Sequence, residues 1–265
     1  MKQLVKFLIN TVPRPYLIWW SNFFSPILDI YFRGTKFIDP INGKSYRKFL
    51  PYGYVRQREN ALSPGTLSLE RHRLLWLFLK NETIFFKEEI KVLHIAPEQS
   101  FYNIFKKQKN IDYTTFDLNS PLASIKGDIC NMPFKDNSFD FLLCNHVLEH
   151  IADDHKAMSE IYRVLNIGGT AILQVPLNQN SKNTLEDNSI TDKKERIEKF
   201  GQYDHVRLYG MDYFERLKKV GFELEQVKYA SNYNKKDIKK FGIIENEIIP
   251  LCKKLIKINF LKPEL

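Results

Sequence analysis

Acidic residues and amide-bearing turns stand at the ends of successive apolar runs in the middle of this chain, in an order that suits a nucleoside. Asp117, followed by Leu118, closes "DYTTFD" 23 residues after His94. A carboxylate at the end of a second strand can accept hydrogen bonds from both hydroxyls of a ribose. Asp128 and Ile129, in "KGDICNMPF", follow a short third strand. A carboxylate at that point can accept from an exocyclic adenine amine. Asn145, His146 and Val147 end the apolar run "FDFLLC" and should face the same cleft. Upstream, "VLHIAPEQSF" (92–101) reads as strand, turn and helix, yet its turn has no glycine. Pro97 suits the first turn of a helix, where its missing N–H costs nothing, and the amides of Glu98 and Gln99 could then point at a ligand.

A second group lies in "GQYDHVRLYG" (201–210). Tyr203, His205 and Arg207 are candidate catalytic residues, with His205 as a general base or a group that positions the acceptor. A hydrogen-bonded turn between Asp204 and Arg207 is the alternative. "HVLEH" (146–150) also matches H-x-x-E-H, in which two histidines four apart can share a metal on one helical face.

These residues need a framework. Strands are expected at 91–95, 112–116, 139–144, 170–175 and 222–229, with a weaker one near 246–252. Helices are expected at 67–81, 98–107, 146–149 running on through 154–164, and 211–220. Leu69, Leu74, Leu75, Leu77 and Phe78 form the apolar face of the first. Alternating strands and helices give an α/β fold with a mainly parallel sheet, whose ligands sit outside the carboxyl ends of the strands. The polar run 178–204 reads as an insertion that is either a lid or disordered.

The stretch "PFKDNSFDFLLCNHVLEHI…AMSEIYRVLNIGGTAILQVP", with "HVRLYGMDYFERLKKVGFELEQV" after it, resembles class I S-adenosylmethionine-dependent methyltransferases of the type 11 group. The resemblance implies a Rossmann-like seven-stranded sheet and S-adenosylmethionine as cofactor. It implies His94, Ala96, Pro97, Glu98, Asp117, Leu118, Asp128, Ile129, Asn145, His146 and Val147 as cofactor-binding residues. Where such families carry an acid followed by three glycines, this chain has His94, then Ala96, Glu98 and Ser100. Glu98 could replace the lost acid and meet the cofactor's amino group. The same Leu-Glu-His occurs in the family without metal, so no metal is expected.

Residues 1–60 hold ten Lys/Arg against three acids, which is most of the net charge of +9. The resemblance divides the chain into a basic, turn-rich N-terminal extension (1–85) and a methyltransferase domain (86–265). Residues 1–35 suggest helices broken at Pro13, Pro15 and Pro26. "PYLIWWSNFFSPILDIYF" (15–32) is interrupted by Asn22, Pro26 and Asp29 and falls short of the roughly 20 apolar residues of a spanning helix. No small-residue cleavage site follows it, so no secretory signal is expected. Its aromatic residues and flanking arginines fit either a packed helix or contact with an anionic membrane surface. Asp39, Asn42, Ser63 and Thr66 stand at the spacing of a C-x₂-C…C-x₂-C zinc ribbon. The bacterial subgroup it resembles most carries cysteines there, so the segment is expected to be a metal-free, ribbon-like structure. Two unrelated corners are the alternative.

Three widely spaced cysteines, Cys130, Cys144 and Cys252, argue against a disulfide framework and fit a reducing cytoplasm. The expected function is methyl transfer to an oxygen or nitrogen of an unidentified acceptor, a small molecule or a lipid- or glycan-type substrate. A non-catalytic methyltransferase-like module at a membrane surface and an RNA methyltransferase are the rivals. Against an amino-base enzyme, the fourth strand ends in Asn145-His146-Val147-Leu148 and lacks an Asn/Asp-Pro-Pro-aromatic run.

Overall fold

The computed structural model describes residues 12–53 and 57–256. Residues 1–11 of the basic N-terminus, with Lys2 and Lys6, and Arg56 lie outside them. The chain divides into two compact units. The first comprises Met1–Glu89, Ala96–Lys126 and Val227–Ile249, and the second Ile90–Ile95, Gly127–Gln226 and Pro250–Leu265.

In the first unit, helix α1 (Arg14–Tyr31) precedes two hairpins, β1 (Arg33–Asp39) with β2 (Lys44–Tyr46) and β3 (Leu50–Tyr52) with β4 (Arg58–Leu62). The break expected at Pro26 does not occur; Pro26 lies inside α1, and Pro15 occupies its first turn, where no N–H is required. Four aromatic side chains, Phe32, Phe37, Tyr46 and Phe49, make a small core there. Two of the ribbon positions are joined directly, and a third bonds to a neighbouring tyrosine. Thr66 Oγ1 donates a short bond to Asp39 Oδ2, and Asn42 Nδ2 donates to the Tyr46 hydroxyl at 2.9 Å. That hydroxyl donates to Asp29 Oδ1 at 2.5 Å. Gly65 passes so close that a Cβ would fall 2.1 Å from the Tyr46 oxygen, so no larger residue fits.

Helix α2 (Glu70–Glu82) buries the expected Leu69, Leu74, Leu75, Leu77 and Phe78, and also His72 and Arg73. Arg73 is fully buried among backbone carbonyls. It donates to Ser68 O, Ala61 O, Phe241 O and Gly242 O, and its guanidinium lies 4.5 Å over the Phe49 ring. Burial pulls its pKa down to about 10.

The remaining strands are β5 (Ile90–Ile95), β6 (Ile111–Asp117), β7 (Ile125–Lys126), β8 (Phe139–Cys144), β9 (Leu165–Ile172), β12 (Glu223–Val227) and β13 (Ile249–Lys253). Together they form one seven-stranded sheet in the order β12-β13-β9-β8-β5-β6-β7. β5 and β8, β8 and β9, and β6 and β7 pair in parallel, and β13 runs antiparallel to β9. β5 and β8 are buried almost throughout, as central strands of a parallel sheet must be. Helix α3 (Gln99–Phe105) belongs to the first unit, as does α7 (Lys235–Phe241). The second unit adds α4 (Asp154–Val164), α5 (Lys193–Phe200) and α6 (Tyr213–Val220). α4 buries Ala157, Met158, Ile161 and Val164 on one stripe, and the Asp153 carboxylate caps it through the Lys156 amide at 2.9 Å.

A further expectation is corrected, and of the two readings of the insertion disorder does not hold. Residues 146–149 do not begin a helix that runs into α4; Leu148–His150 is one 3₁₀ turn, and the chain restarts at the Asp153 cap. The insertion 178–204 holds structure of its own. β10 (Leu185–Glu186) pairs antiparallel with β11 (Arg207–Leu208), and α5 starts at the Asp192 cap and stops at Gly201 with φ +89°.

Candidate functional site

The strand order reverses at β5: the chain proceeds to β6 and β7 on one side, then returns to β8 on the other. The crevice at such a switch point is where this fold class binds ligands. Within the second unit, β5 and β8 run in register, His94 opposite Leu143 and Ile95 opposite Cys144. His94, at the position of the lost acid, is fully buried in the sheet. Beyond Cys144 the chain reaches Asn145, which is buried, and His146, whose φ is +56°. The His146 N–H donates to Gln174 O at 2.7 Å. A non-glycine residue in this region costs free energy, and such residues cluster where a backbone is shaped for a ligand. Val147 is half-buried. Asp128 is exposed, with Oδ1 accepting from the Cys130 amide at 2.8 Å, and Ile129 beside it is buried.

Within the first unit, Ala96 stands at a glycine position of the resembled pattern and takes φ +50°; its N–H donates to Phe116 O at 2.8 Å. The turn therefore keeps a glycine-type conformation without glycine. Pro97 lies just before the helix and not in its first turn, because Glu98 forms the N-cap and α3 starts at Gln99. Asp117 ends β6. Its Oδ1 accepts from the Asn119 and Ser120 amides at 2.7 and 2.5 Å, which fixes the carboxylate and leaves Oδ2 for another donor. Leu118 next to it is 63% exposed, an apolar surface where a planar base can rest.

The second group gathers on the 3₁₀ turn in the second unit. His150 and His205 meet edge to face with ring centroids 4.8 Å apart. Glu149 is buried between two histidines, with its Oε1 3.4 Å from His146 Nδ1 and 4.0 Å from His150 Nε2. Burial pushes the Glu149 carboxyl up, but the His146 hydrogen bond and the charges of His146 and His150 outweigh it and hold it below its ordinary value. Burial holds the His205 imidazole below its ordinary value, which keeps it neutral near pH 7. Arg207 spends its donors on the loop: they go to Leu148 O, Ile151 O, Ala152 O and Glu186 Oε2. The alternative turn does not form, since Asp204 faces His150 instead. Tyr203 is exposed, under the Lys193 ammonium. Glu149 and His150 were visible only as part of a motif, and nothing in their spacing joins them to His205.

The architecture is that of a known fold family. Residues 85–173 match a family model described as "Methyltransferase domain". Over this third of the chain the sequence is similar to that family. The domain's match runs from the segment before β5 to the end of β9. An uncharacterized protein of Methanocaldococcus jannaschii is 37% identical over 86 residues, 29% of this chain and 36% of its own length. A sterol 24-C-methyltransferase of Pneumocystis carinii is 33% identical over 125 residues, 44% of this chain and 30% of its length. The chain thus spans about a third of the length of the curated relatives it matches. Among solved structures, the (4+2)-cyclase SpnF shares the fold with a TM-score of 0.51 at 13% identity, covering 90% of this chain and 97% of its own. The cofactor of methyltransferase domains of this class is S-adenosylmethionine.

Proposed function

We propose that the chain transfers a methyl group from S-adenosylmethionine to an oxygen or nitrogen of an acceptor, a small molecule or a lipid- or glycan-type substrate. The observation that carries this reading is Asp117: its carboxylate is fixed through one oxygen at the end of the strand beside β5, with the other left for the ribose. Asp128 is the candidate acceptor for the adenine amine, Leu118 and Ile129 are candidate apolar contacts, and Glu98 is the candidate partner of the amino group. Asn145, His146 and Val147 line the methionine side, with His94, Ala96 and Pro97 shaping the turn. When bound, the cofactor supplies a sulfonium methyl for in-line displacement, so orientation carries most of the catalysis. Of Tyr203, His205 and Arg207, the last is a positioning residue for the 148–152 loop. His205 keeps a ring nitrogen for chemistry. The fold alone does not set the reaction, since a cyclase shares it. Titration with S-adenosylmethionine and S-adenosylhomocysteine tests the reading. Saturable binding of both supports it, and no binding of either by the folded chain contradicts it.

A second reading concerns the partner. No helix among the described residues is long and apolar enough to cross a membrane. Yet α1 exposes Trp19, Phe23, Phe24, Ile27 and Ile30, a large apolar surface for a protein in water. Directly after it, Lys36 joins Lys236, Lys239 and Lys240 around a hollow of about 360 Å³. Aromatic residues beside clustered lysines fit an anionic membrane surface. Nucleic acid is the weaker fit, because the exposed face is mainly apolar. Co-sedimentation with vesicles containing phosphatidylserine, lost in Trp19→Ser/Phe23→Ser and absent with neutral vesicles, checks it. The three cysteines are free thiols, which accords with a cytoplasmic location.

A further inference from the structure

The cluster at the 3₁₀ turn has more polar capacity than its surroundings use. Glu149 is 1% exposed and His205 2% exposed. Yet Glu149 Oε2 and His205 Nε2 make no hydrogen bond among the described residues. Buried polar atoms are nearly always paired, so two such atoms in one cluster call for a ligand.

The ring orientations say which kind. His205 Nδ1 lies 3.0 Å from Phe200 O, and His150 Nδ1 lies 3.2 Å from Asp204 O, with Asp204 Oδ2 at 3.5 Å. A carbonyl oxygen only accepts, so each Nδ1 donates, and in the neutral ring each Nε2 then presents a lone pair. Metal-bound histidines are oriented in this way, by a carbonyl or carboxylate on the second ring nitrogen. One ligand atom each from Glu149, His150 and His205 lie within 4.8 Å of one another. Ligands around tetrahedral zinc stand roughly 3.4 Å apart, so small side-chain rotations close the set.

We propose that Glu149, His150 and His205 bind a divalent transition-metal ion of the zinc type. Two imidazoles and a carboxylate favour zinc over magnesium or calcium, which prefer all-oxygen sites. Three protein ligands leave a fourth position open for water or for an oxygen of a bound acceptor, the arrangement of a catalytic site and not a structural one. This departs from the H-x-x-E-H pairing in the motif: the 3₁₀ turn separates His146 from His150, and His205, 55 residues on, takes the second histidine position. The inference does not depend on cofactor binding.

The test uses the full untagged chain, stripped with chelator and titrated with zinc chloride by calorimetry, alongside elemental analysis and the absorption spectrum of the cobalt-loaded protein. About one ion per chain is expected. Glu149→Gln and His205→Gln should each weaken binding at least about tenfold and change the cobalt spectrum, with circular dichroism unchanged. If Glu149→Gln fails to fold, His205→Gln alone decides. Asp39→Asn, in the first unit, should leave binding intact. A folded chain that takes up no zinc, uptake unchanged in His205→Gln, or uptake lost only in Asp39→Asn would overturn the assignment. Titration of the same samples with S-adenosylmethionine separates this outcome from failure of the methyltransferase reading.

Discussion

His150 and His205 face each other edge to face, with their planes at 82° and each Nδ1 turned to a backbone carbonyl. Their partners make this a built arrangement. Arg207 fastens the 148–152 loop through three carbonyls, and Glu186 in the insertion holds both Arg207 and Arg216. Asp154, at the start of α4, accepts from Tyr209 and Arg216. The insertion is thus pinned by charged hydrogen bonds to the elements that carry the histidines.

Arg73→Met should cost about 3 kcal/mol, because it leaves the carbonyls of Ser68, Ala61, Phe241 and Gly242 without their donor while roughly preserving volume. Chemical denaturation checks this, and a loss below about 1 kcal/mol would show that water replaces the guanidinium.

The contrast with the rest of α2 shows what a sequence can carry. Leu69, Leu74, Leu75, Leu77 and Phe78 announced a buried face by their period, and all are buried. Arg73 in the same helix did not, because its acceptors are carbonyls, and two of them lie 168 and 169 residues away. The sheet was legible from composition: β5 and β8 are mainly apolar runs, interrupted only by Lys91, His94 and Asp140. Pro26 was misread because one lost hydrogen bond does not end a helix that continues on both sides. The 3₁₀ turn at Leu148–His150 and the helix inside 178–204 depend on contacts between segments, which local pattern does not encode.

Ala96→Val should cost at least about 1 kcal/mol, since φ +50° is hostile to a β-branched residue, whereas Ala96→Gly should stay within about 1 kcal/mol of the parent. Thermal unfolding of the two variants checks the sign. Equal stability would mean that the turn relaxes when its residue changes.

Stability should fall on acidification partly through Glu160. The Arg163 guanidinium bonds both its oxygens, at 2.7 and 2.8 Å, and outweighs burial in holding its carboxyl below the ordinary 4.5. The unfolded chain therefore takes up this proton first as pH drops. The contribution is present above about pH 4.5 and is lost as pH falls toward the folded value. Denaturation midpoints between pH 3 and 7 should slope less in Glu160→Gln than in the parent; parallel slopes would remove Glu160 from the account.

Whether Asp117 holds the ribose of S-adenosylmethionine is decided by calorimetric titration of the parent, Asp117→Asn and Asp117→Ala with that cofactor. Asparagine can keep the bonds from the Asn119 and Ser120 amides while losing the charge, which separates loop structure from binding. The parent should bind one-to-one, with binding weakened roughly tenfold to a hundredfold in Asp117→Asn and at least as much in Asp117→Ala. A folded parent that does not bind, or an Asp117→Asn that binds as the parent does, would contradict that role.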